Sequence, residues 1–592
     1  MNVKIIEAIE AATEHLPSFM YGNGRFEIRD KITTTDEAVG LTAPGVWFIE
    51  RNSEGIDGVP KFVCSWLTVR ALTRSAGHDN WGRLLAWRDS DRRLHEWSCP
   101  MGLFSGDGTA VREQLLKGGL AVDPAYRTKN LLAAYIQNFP TDKRAQCVER
   151  LGWLGNRYVL PDKTIGGGES DEIVVFQNPQ ALKPAFSTSG TVDEWRANVA
   201  ALAVGNDQLM FVLSTGFTGA LLNSVGMEGG GFHLCGDSSQ GKTVMQRAAA
   251  SIWGNPGQFL HSWRITSNAL EGTALLHNDG ILILNEIKEV STKEAGAIVY
   301  MLANGQAKGR ANRAGMARKT PTWKTIVLSS GEVGLAEMMR QAGERAYAGQ
   351  EIRLAELPAG GFTNLHGQAE SRQFAEALEH NSMQYYGAVG VEFLQELVKV
   401  RAEKTPLIQR SIETFISEVV PKGGSAQASR VAKRFALVAV AGEMATGFGL
   451  TGWAPGAAIV SAKHEFKSWL DHFGSGDREA TEILSQVKAF FEAHGASRFG
   501  KLTDSDEKIV NRAGCFSDDG AGRIFYVLPE IFKNELCKGL NAKTATKTLI
   551  GARWIKPGMG RATQSVRIPA MGGPTRVYVF TGSMWEDDNE LQ

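Results

Sequence analysis

Apolar and polar residues alternate with a period of two in several short runs of the first third of the chain. Gly45–Glu50, Lys61–Leu72 and Gly82–Asp89 read as strands. Ala110–Leu120 and Lys129–Phe139 instead carry apolar residues at helical spacing. Polar, Gly-rich runs at Thr164–Glu172 and Ser187–Thr191 read as loops. Residues 1–190 are therefore predicted as an α+β domain, and no catalytic constellation stands out in them. The first sixteen residues are acidic and amphipathic, unlike a signal peptide.

The pattern changes near residue 191. A helix is predicted over Val192–Gly205, a second after it, and then the apolar strand Gly231–Cys235. Strand and helix patterns alternate as far as Glu351–Gly360, which predicts a parallel α/β core over residues 191–365. Within it, Leu209–Gly226 is strongly apolar but rich in Gly, Ser and Thr, and reads as a buried helix rather than a membrane span. Residues 366–475 are mostly helical in pattern and form a helical lid or linker. The last segment, 476–592, reads helix, strand, helix, helix and then a hairpin over Ser565–Gly582 turning at Gly-Gly-Pro. Pro529 suits a helix start and Asn541 a helix cap. That order is the order of a winged helix.

Composition narrows the classes. The 592 residues are too many for one core. At 43% hydrophobic and 22% charged the chain is ordinary for a soluble protein. Lys+Arg and Asp+Glu balance at 64 each, which excludes a protein basic all over and leaves local patches to be informative. The six cysteines include no C-x-x-C pair, so reduced thiols in the cytoplasm are expected rather than a zinc site or a disulfide framework.

The main candidate chemistry follows the strand Gly231–Cys235. The loop Gly236, Asp237, Ser238, Ser239, Gln240, Gly241, Lys242 and Thr243 fits G-x-x-x-x-G-K-[ST] at every fixed position and opens into a helical pattern. Such a loop wraps a phosphate with backbone N–H groups, and the helix points its positive end at the anion. Lys242 is expected to reach the β- and γ-phosphates of ATP, and the Thr243 hydroxyl to hold Mg²⁺. Gly229–Gly231 is no dinucleotide fingerprint, because it precedes its strand.

A second apolar run, Ile281–Leu284, ends in Asn285 and Glu286. Glu286 is placed to polarise an attacking water, and Asn285 stands where an Asp usually helps to hold the metal ion. A third strand ends in Ser329 and Ser330, either of which fits between water and γ-phosphate or serves as a strand-end cap. Between the two strands, Met301–Thr325 carries Lys308, Arg310, Arg313, Arg318, Lys319 and Lys324 and no acid. A loop of that charge suits a phosphate backbone better than a bland surface. Asn541–Arg567 is likewise acid-free, with Lys543, Lys547, Arg553, Lys556, Arg561 and Arg567, as a helix entering a major groove requires.

Taken in order, these segments resemble the helicase-like ATPases of phages, integrated islands and staphylococcal cassettes, which carry a domain of unknown function. Understood members look like AAA+ self-loading replicative helicases related to superfamily 3. The resemblance spans roughly residues 20–450. It implies that Gly241, Lys242 and Thr243 fall on Walker A, Glu286 on the catalytic Walker B acid, Ser329 or Ser330 on sensor 1, and the basic loop on the presensor hairpin of a hexamer's pore. It further implies an arginine finger, favouring Arg345 and Arg353, and a lid arginine at Arg430 or Arg434. The implied function is an ATP-dependent, ring-forming DNA helicase and replication initiator acting on single- and double-stranded DNA, with a 3′→5′ lean and element-encoded replication partners. Asn285 is the departure from the family pattern. It keeps open an ATP-binding regulatory module with little hydrolysis, and an ATPase acting on protein or RNA also remains open.

Overall fold

The computed structural model describes residues 18–29, 33–34, 41–42, 44–167, 172–177, 184–311, 320–343, 348–422, 424–473, 478–504, 508–519 and 522–585. The amphipathic N-terminal segment, Arg345, and Arg313, Arg318 and Lys319 of the basic loop lie outside the described residues.

The N-terminal region builds two sheets over a shared apolar core. Phe19–Tyr21, Gly24–Arg29, Gly45–Glu50 and Lys61–Cys64 pair antiparallel in that order. Leu67–Ser75, Gly82–Arg88 and Leu94–Pro100 form a meander that Arg144–Val148 and Ile173–Phe176 extend in parallel. Helices Thr109–Lys117 and Tyr126–Asn138 cover them, and Tyr135 donates its hydroxyl to Leu67 O at 2.6 Å. The alternating runs thus become strands and the helically spaced runs become helices, as expected.

The centre is a five-stranded parallel sheet: β1 (Gly230–Cys235), β2 (Leu260–Ser262), β3 (Gly280–Asn285), β4 (Thr325–Gly331) and β5 (Leu354–Pro358). Its spatial order is β2-β3-β4-β1-β5. Both faces are covered, which is why these strands read as unbroken apolar runs. Phe232, Leu234, Ile281, Ile283, Ile326 and Leu328 enter one core cluster, and Leu282, Leu284, Val327 and Leu354 enter another.

Helix α1 (Asp207–Leu222) lies on the first face and is buried all round from Gln208 to Leu222. A helix apolar on every side belongs in an interior. Its Ser214, Thr215 and Thr218 hydroxyls donate back to carbonyls one turn earlier, which satisfies them without water. Gly219 lets the helix touch the sheet, since a Cβ there would stand 2.0 Å from Gly280 O. No helix among the described residues is long and apolar enough to cross a membrane. Further helices on the sheet are α2 (Lys242–Ala250), α3 (Ser267–Leu276) and α4 (Thr292–Asn304).

The long helices α5 (Ala388–Val419), α6 (Ala426–Gly447) and α7 (Ala457–Phe473) pack on the same face as α1. Phe435 of α6 meets Phe211 of α1 and Phe232 of β1 at 5.2 and 5.0 Å between ring centres. The helices of residues 366–475 thus share the core of the sheet. A small three-stranded sheet, Gly152–Leu154, Arg157–Val159 and Thr164–Ile165, also joins it through Trp153, Tyr158 and Ile165.

The C-terminal region has its own core. Helix α8 (Arg478–His494), two short helical turns over Pro529–Leu536, and α9 (Ala542–Gly551) pack on a five-stranded sheet. The sheet order is Phe499–Lys501, Gly514–Asp519, Gly522–Val527, Gly573–Phe580 and Gln564–Ile568. The expected sequence of helix, strand, helix, helix and hairpin is present, with Phe499–Lys501 and Gly514–Asp519 as additional strands.

Candidate nucleotide site and DNA-facing surfaces

The loop after β1 turns through two left-handed residues, Ser239 at φ 69° and Gly241 at φ 76°. Gly241 both permits that turn and opens α2. The Lys242 ammonium folds under the loop and donates to Gly236 O at 2.7 Å and Asp237 O at 2.6 Å. It is 8% exposed, so its charge stands inside the loop with carbonyl partners and, among the described residues, no carboxylate bonded to it. The loop's walls are close. A Cβ on Gly236 would meet Gln240 Oε1 at 2.1 Å, and one on Gly241 would meet the Phe362 ring at 2.5 Å.

Phe362 is held there by a clamp from the start of α1. Asn206 Oδ1 accepts the backbone N–H groups of Thr363 and Asn364 at 2.8 and 2.9 Å. Gln208 donates to Pro358 O and accepts from Gly360 N, both at 2.9 Å. The sequence pattern did not single out these two amides. Their only signal was two polar side chains at the mouth of an otherwise apolar helix.

Asn285 ends β3 and Ser330 lies at the end of its neighbour β4. The Asn285 side-chain amide stands 2.8 Å from Ser330 Oγ and 3.3 Å from Thr243 Oγ1. Gln246, one turn into α2 and fully buried, joins them through Ser330 at 2.9 Å. Glu286 follows with φ 60°, a conformation that costs a non-glycine residue about 1 kcal/mol or more. Its Oε1 is buried and has no hydrogen-bond partner among the described residues.

Ser329 and Ser330 go to opposite faces, as consecutive strand residues must. Ser330 belongs to the loop side. Ser329 belongs to a buried polar chain on the other side, which corrects its placing beside the phosphates. There Trp263 Nε1–H donates to Ser329 Oγ at 2.9 Å, and Ser329 stands 2.9 Å from His233 Nδ1. His233 Nε2 lies 3.0 Å from Val333 O. Burial lowers the His233 pKa, so the ring is neutral: Nε2–H donates to Val333 and Nδ1 accepts from Ser329. Cys235, on the same face, is pushed up to about 12 by burial and by Glu356.

Arg434 is corrected too. It is buried on α6, and its Nη1 donates to Gly231 O and Ile352 O, both at 3.1 Å. Gly231 is the second residue of β1, whereas the loop Gly236–Thr243 follows its far end, so Arg434 stays away from that loop. Burial pushes its pKa down to about 10. Arg430 lies one turn earlier on the same helix and is exposed. Arg353 precedes β5, with its guanidinium 4.3 Å over the Tyr300 ring and bonded to Asn304 Oδ1 and Gly349 O.

The basic loop begins as a ladder. Ala307 N donates to Pro321 O at 3.0 Å and Trp323 N to Gly305 O at 2.8 Å. Lys308 and Arg310 stand exposed just beyond it. At the C-terminus, Asn541 Oδ1 accepts from Lys543 N and Thr544 N and caps α9. Lys543, Lys547 and Arg553 are exposed; on α9 the two lysines lie on the opposite side from Ala545 and Leu549, which enter the core, and Arg553 follows the helix.

Among the described residues no group of three or more His, Cys, Asp or Glu side chains could hold a metal ion. A divalent cation at this site would need oxygens from a phosphate, beside Thr243. The donors, the two tight glycines and the positive helix end fit such a phosphate. Among the described residues no disulfide joins any of the six cysteines.

No curated protein matches the chain. A family described as a domain of unknown function, DUF927, matches residues 39–323, just under half of the chain. The solved structure "SCCmec type IV Cch - active helicase" is similar at 15% identity, covering 95% of this chain and 98% of that one, with a TM-score of 0.67. NtrX from Brucella abortus, at 14% identity and 39% and 64% coverage, has a TM-score of 0.18. The apo C-terminal region of NrS-1, at 10% identity and 84% and 96% coverage, has one of 0.26. Neither of those two scores bears on the fold. The chain is thus similar to DUF927 in sequence and shares the fold of the Cch structure along nearly its whole length.

Proposed function

We propose that the chain is an ATP-driven DNA helicase of a mobile genetic element, working as a homo-hexamer or related ring. One observation carries this reading. Lys242 and Thr243, Asn285 and Glu286, and Ser330 converge where β1, β3 and β4 end, in a sheet ordered β2-β3-β4-β1-β5. That order and placement are those expected of an AAA+ core. The likeness in fold to a structure titled as an active helicase supports it.

In this reading the loop Gly236–Thr243 cradles the phosphates, and Lys242 turns its ammonium from Gly236 O and Asp237 O toward them. Glu286, whose Oε1 lacks a partner, takes the proton of the attacking water. A bound Mg²⁺ supplies charge neutralisation at the phosphate oxygens, beside Thr243 and Asn285. Arg345 or Arg353 reaches the neighbouring subunit's nucleotide as arginine finger. Lys308, with Arg313, Arg318 and Lys319, faces single-stranded DNA in the channel, while Arg310, expected to do the same, holds the base of the loop through Glu271. The C-terminal region is a winged-helix-like module whose Lys543, Lys547 and Arg553 meet duplex DNA. A cytoplasmic place suits six cysteines that form no disulfide among the described residues.

The test is phosphate release with and without single-stranded DNA, followed by unwinding of duplexes with 3′ or 5′ tails, on wild type and Lys242→Ala. DNA-stimulated, Lys242-dependent release with unwinding supports the proposal. Nucleotide binding without turnover supports a regulatory module instead, a reading that the uncharged Asn285 favours.

A further inference from the structure

The hydrogen bonds around Gln246 fix which way the Asn285 amide faces. The oxygen and nitrogen of such an amide are told apart by their partners alone. Gln246 gives the starting point. Its Nε2 lies 3.0 Å from Leu284 O and 3.3 Å from Leu328 O, so both amide hydrogens go to the two strands. Carbonyls accept and never donate, and Gln246 Oε1 is therefore the atom facing Ser330, at 2.9 Å. It can only accept, so the single Ser330 hydrogen is spent on it. Ser330 Oγ also stands 2.8 Å from Asn285, and with its hydrogen spent it accepts there. The structure places Asn285 Oδ1 at both contacts; with the Ser330 hydrogen spent on Gln246, the amide is instead turned over, so that Nδ2 faces Ser330 and Thr243 Oγ1 at 3.3 Å.

We infer that Asn285 is a positioning residue paired with Gln246 through Ser330: Gln246 commits the Ser330 hydrogen, and so demands a donor rather than a carboxylate at position 285. An aspartate there would bring a second acceptor to 2.8 Å from an oxygen with no hydrogen left to give. Either Ser330 turns to the carboxylate and strands the buried Gln246 oxygen, or the carboxylate stays unpaired. The departure at Asn285 is thereby explained by a residue on another element. It also gives the metal-side hydroxyl of Thr243 a donor neighbour instead of a charged one.

This inference rests on the proposed nucleotide site for its functional sense, but its test does not. Asn285→Asp is made in two backgrounds, wild type and Gln246→Met, a near-isosteric change that removes the competing acceptor. Two quantities are read: the thermal midpoint without ligand, and the Mg²⁺ concentration needed for half-maximal binding of a fluorescent ATP analogue. Asn285→Asp is expected to act at least about fivefold more favourably on the Mg²⁺ requirement in the Gln246→Met background, and to lower the midpoint less there. Adding Ser330→Ala to both backgrounds should erase the difference. Equal effects of Asn285→Asp in the two backgrounds, within twofold and within the error of the midpoint, would overturn the pairing. If the protein binds no nucleotide, the proposed function fails, and the thermal midpoints alone decide the pairing.

Discussion

Arg310 Nη2 lies 2.7 Å from Glu271 Oε2, so a cation of the acid-free loop is tied to a buried carboxylate on α3. The other carboxylate oxygen accepts from Lys308 N at 3.3 Å. Arg310 thus anchors the base of the loop, while Lys308 has only its backbone in this contact. Arg310→Ala should lower the thermal midpoint by several degrees, since it strands a buried carboxylate. Lys308→Ala should leave the midpoint unchanged and weaken single-strand binding, with a salt dependence flatter by about one unit. Thermal denaturation and salt titrations of binding separate the two roles.

Glu286→Gln should retain nucleotide binding and slow phosphate release by about a hundredfold or more, the scale of losing a general base. Lys242→Ala should lose both. Phosphate-release kinetics beside fluorescent-nucleotide titration give the pair of readings. Undiminished turnover in Glu286→Gln would remove Glu286 from its role.

Acid should weaken the fold through two histidines. His261 and His277 face each other at 3.2 Å between Nε2 atoms, beside the rings of Phe186 and Phe259. Burial, and then the neighbouring imidazole, push His277 down to about 3, and burial lowers His261. Above about pH 6.5 both states are neutral, and these residues contribute no pH dependence. Below it the unfolded chain takes up protons that the folded chain refuses. Unfolding free energy then falls by about 1.4 kcal/mol per pH unit for His277, down to its folded pKa. Urea unfolding between pH 7.5 and 5 should show this slope, and His277→Leu should flatten it.

Arg434→Leu should destabilise the chain by about 2–3 kcal/mol, because the Gly231 and Ile352 carbonyls lose a charged donor. Nucleotide affinity of the folded variant should stay within twofold of wild type. A large loss of affinity without a change in midpoint would return Arg434 to the lid.

Lys543→Ala with Lys547→Ala should reduce the salt slope of duplex binding by about two units while leaving ATP hydrolysis intact. Both lysines are exposed on α9, four residues apart, so neither carries packing.

Elements with one strong period were legible before any coordinates. The strands Gly45–Glu50 and Gly280–Asn285 and the helix Asp207–Leu222 lie where the pattern puts them, because burial decides all three. The strand-then-helix setting of the loop Gly236–Thr243 was legible through its glycines and the patterns flanking it. What escaped was every property that depends on a distant partner. Ser329 and Ser330 differ only in which face they take, and the register with β1 and β3 decides that. Arg434 reads like any basic residue of an amphipathic helix until β1 is seen beneath it. Gln246 is one polar position in an apolar face, and its meaning lies on β3 and β4. The acid that answers Arg310 sits 39 positions upstream in the chain.

The three-stranded sheet of residues 152–165 meets the core at a telling place. Trp153 N donates to Asp279 Oδ2 at 3.0 Å, and Asp279 N donates to Lys324 O at 2.6 Å. Asp279 immediately precedes β3, and Lys324, near the end of the basic loop, immediately precedes β4. The N-terminal region and the loop's base therefore grip one end of the strands whose other ends carry Glu286 and Ser330. At about 3.3 Å per residue, roughly 20 Å of strand separates the two grips. β3 and β4 then serve as a pair of stiff pushrods. Were the end carrying Glu286 and Ser330 to shift, the displacement would reach the loop's base as a tilt or slide of whole strands.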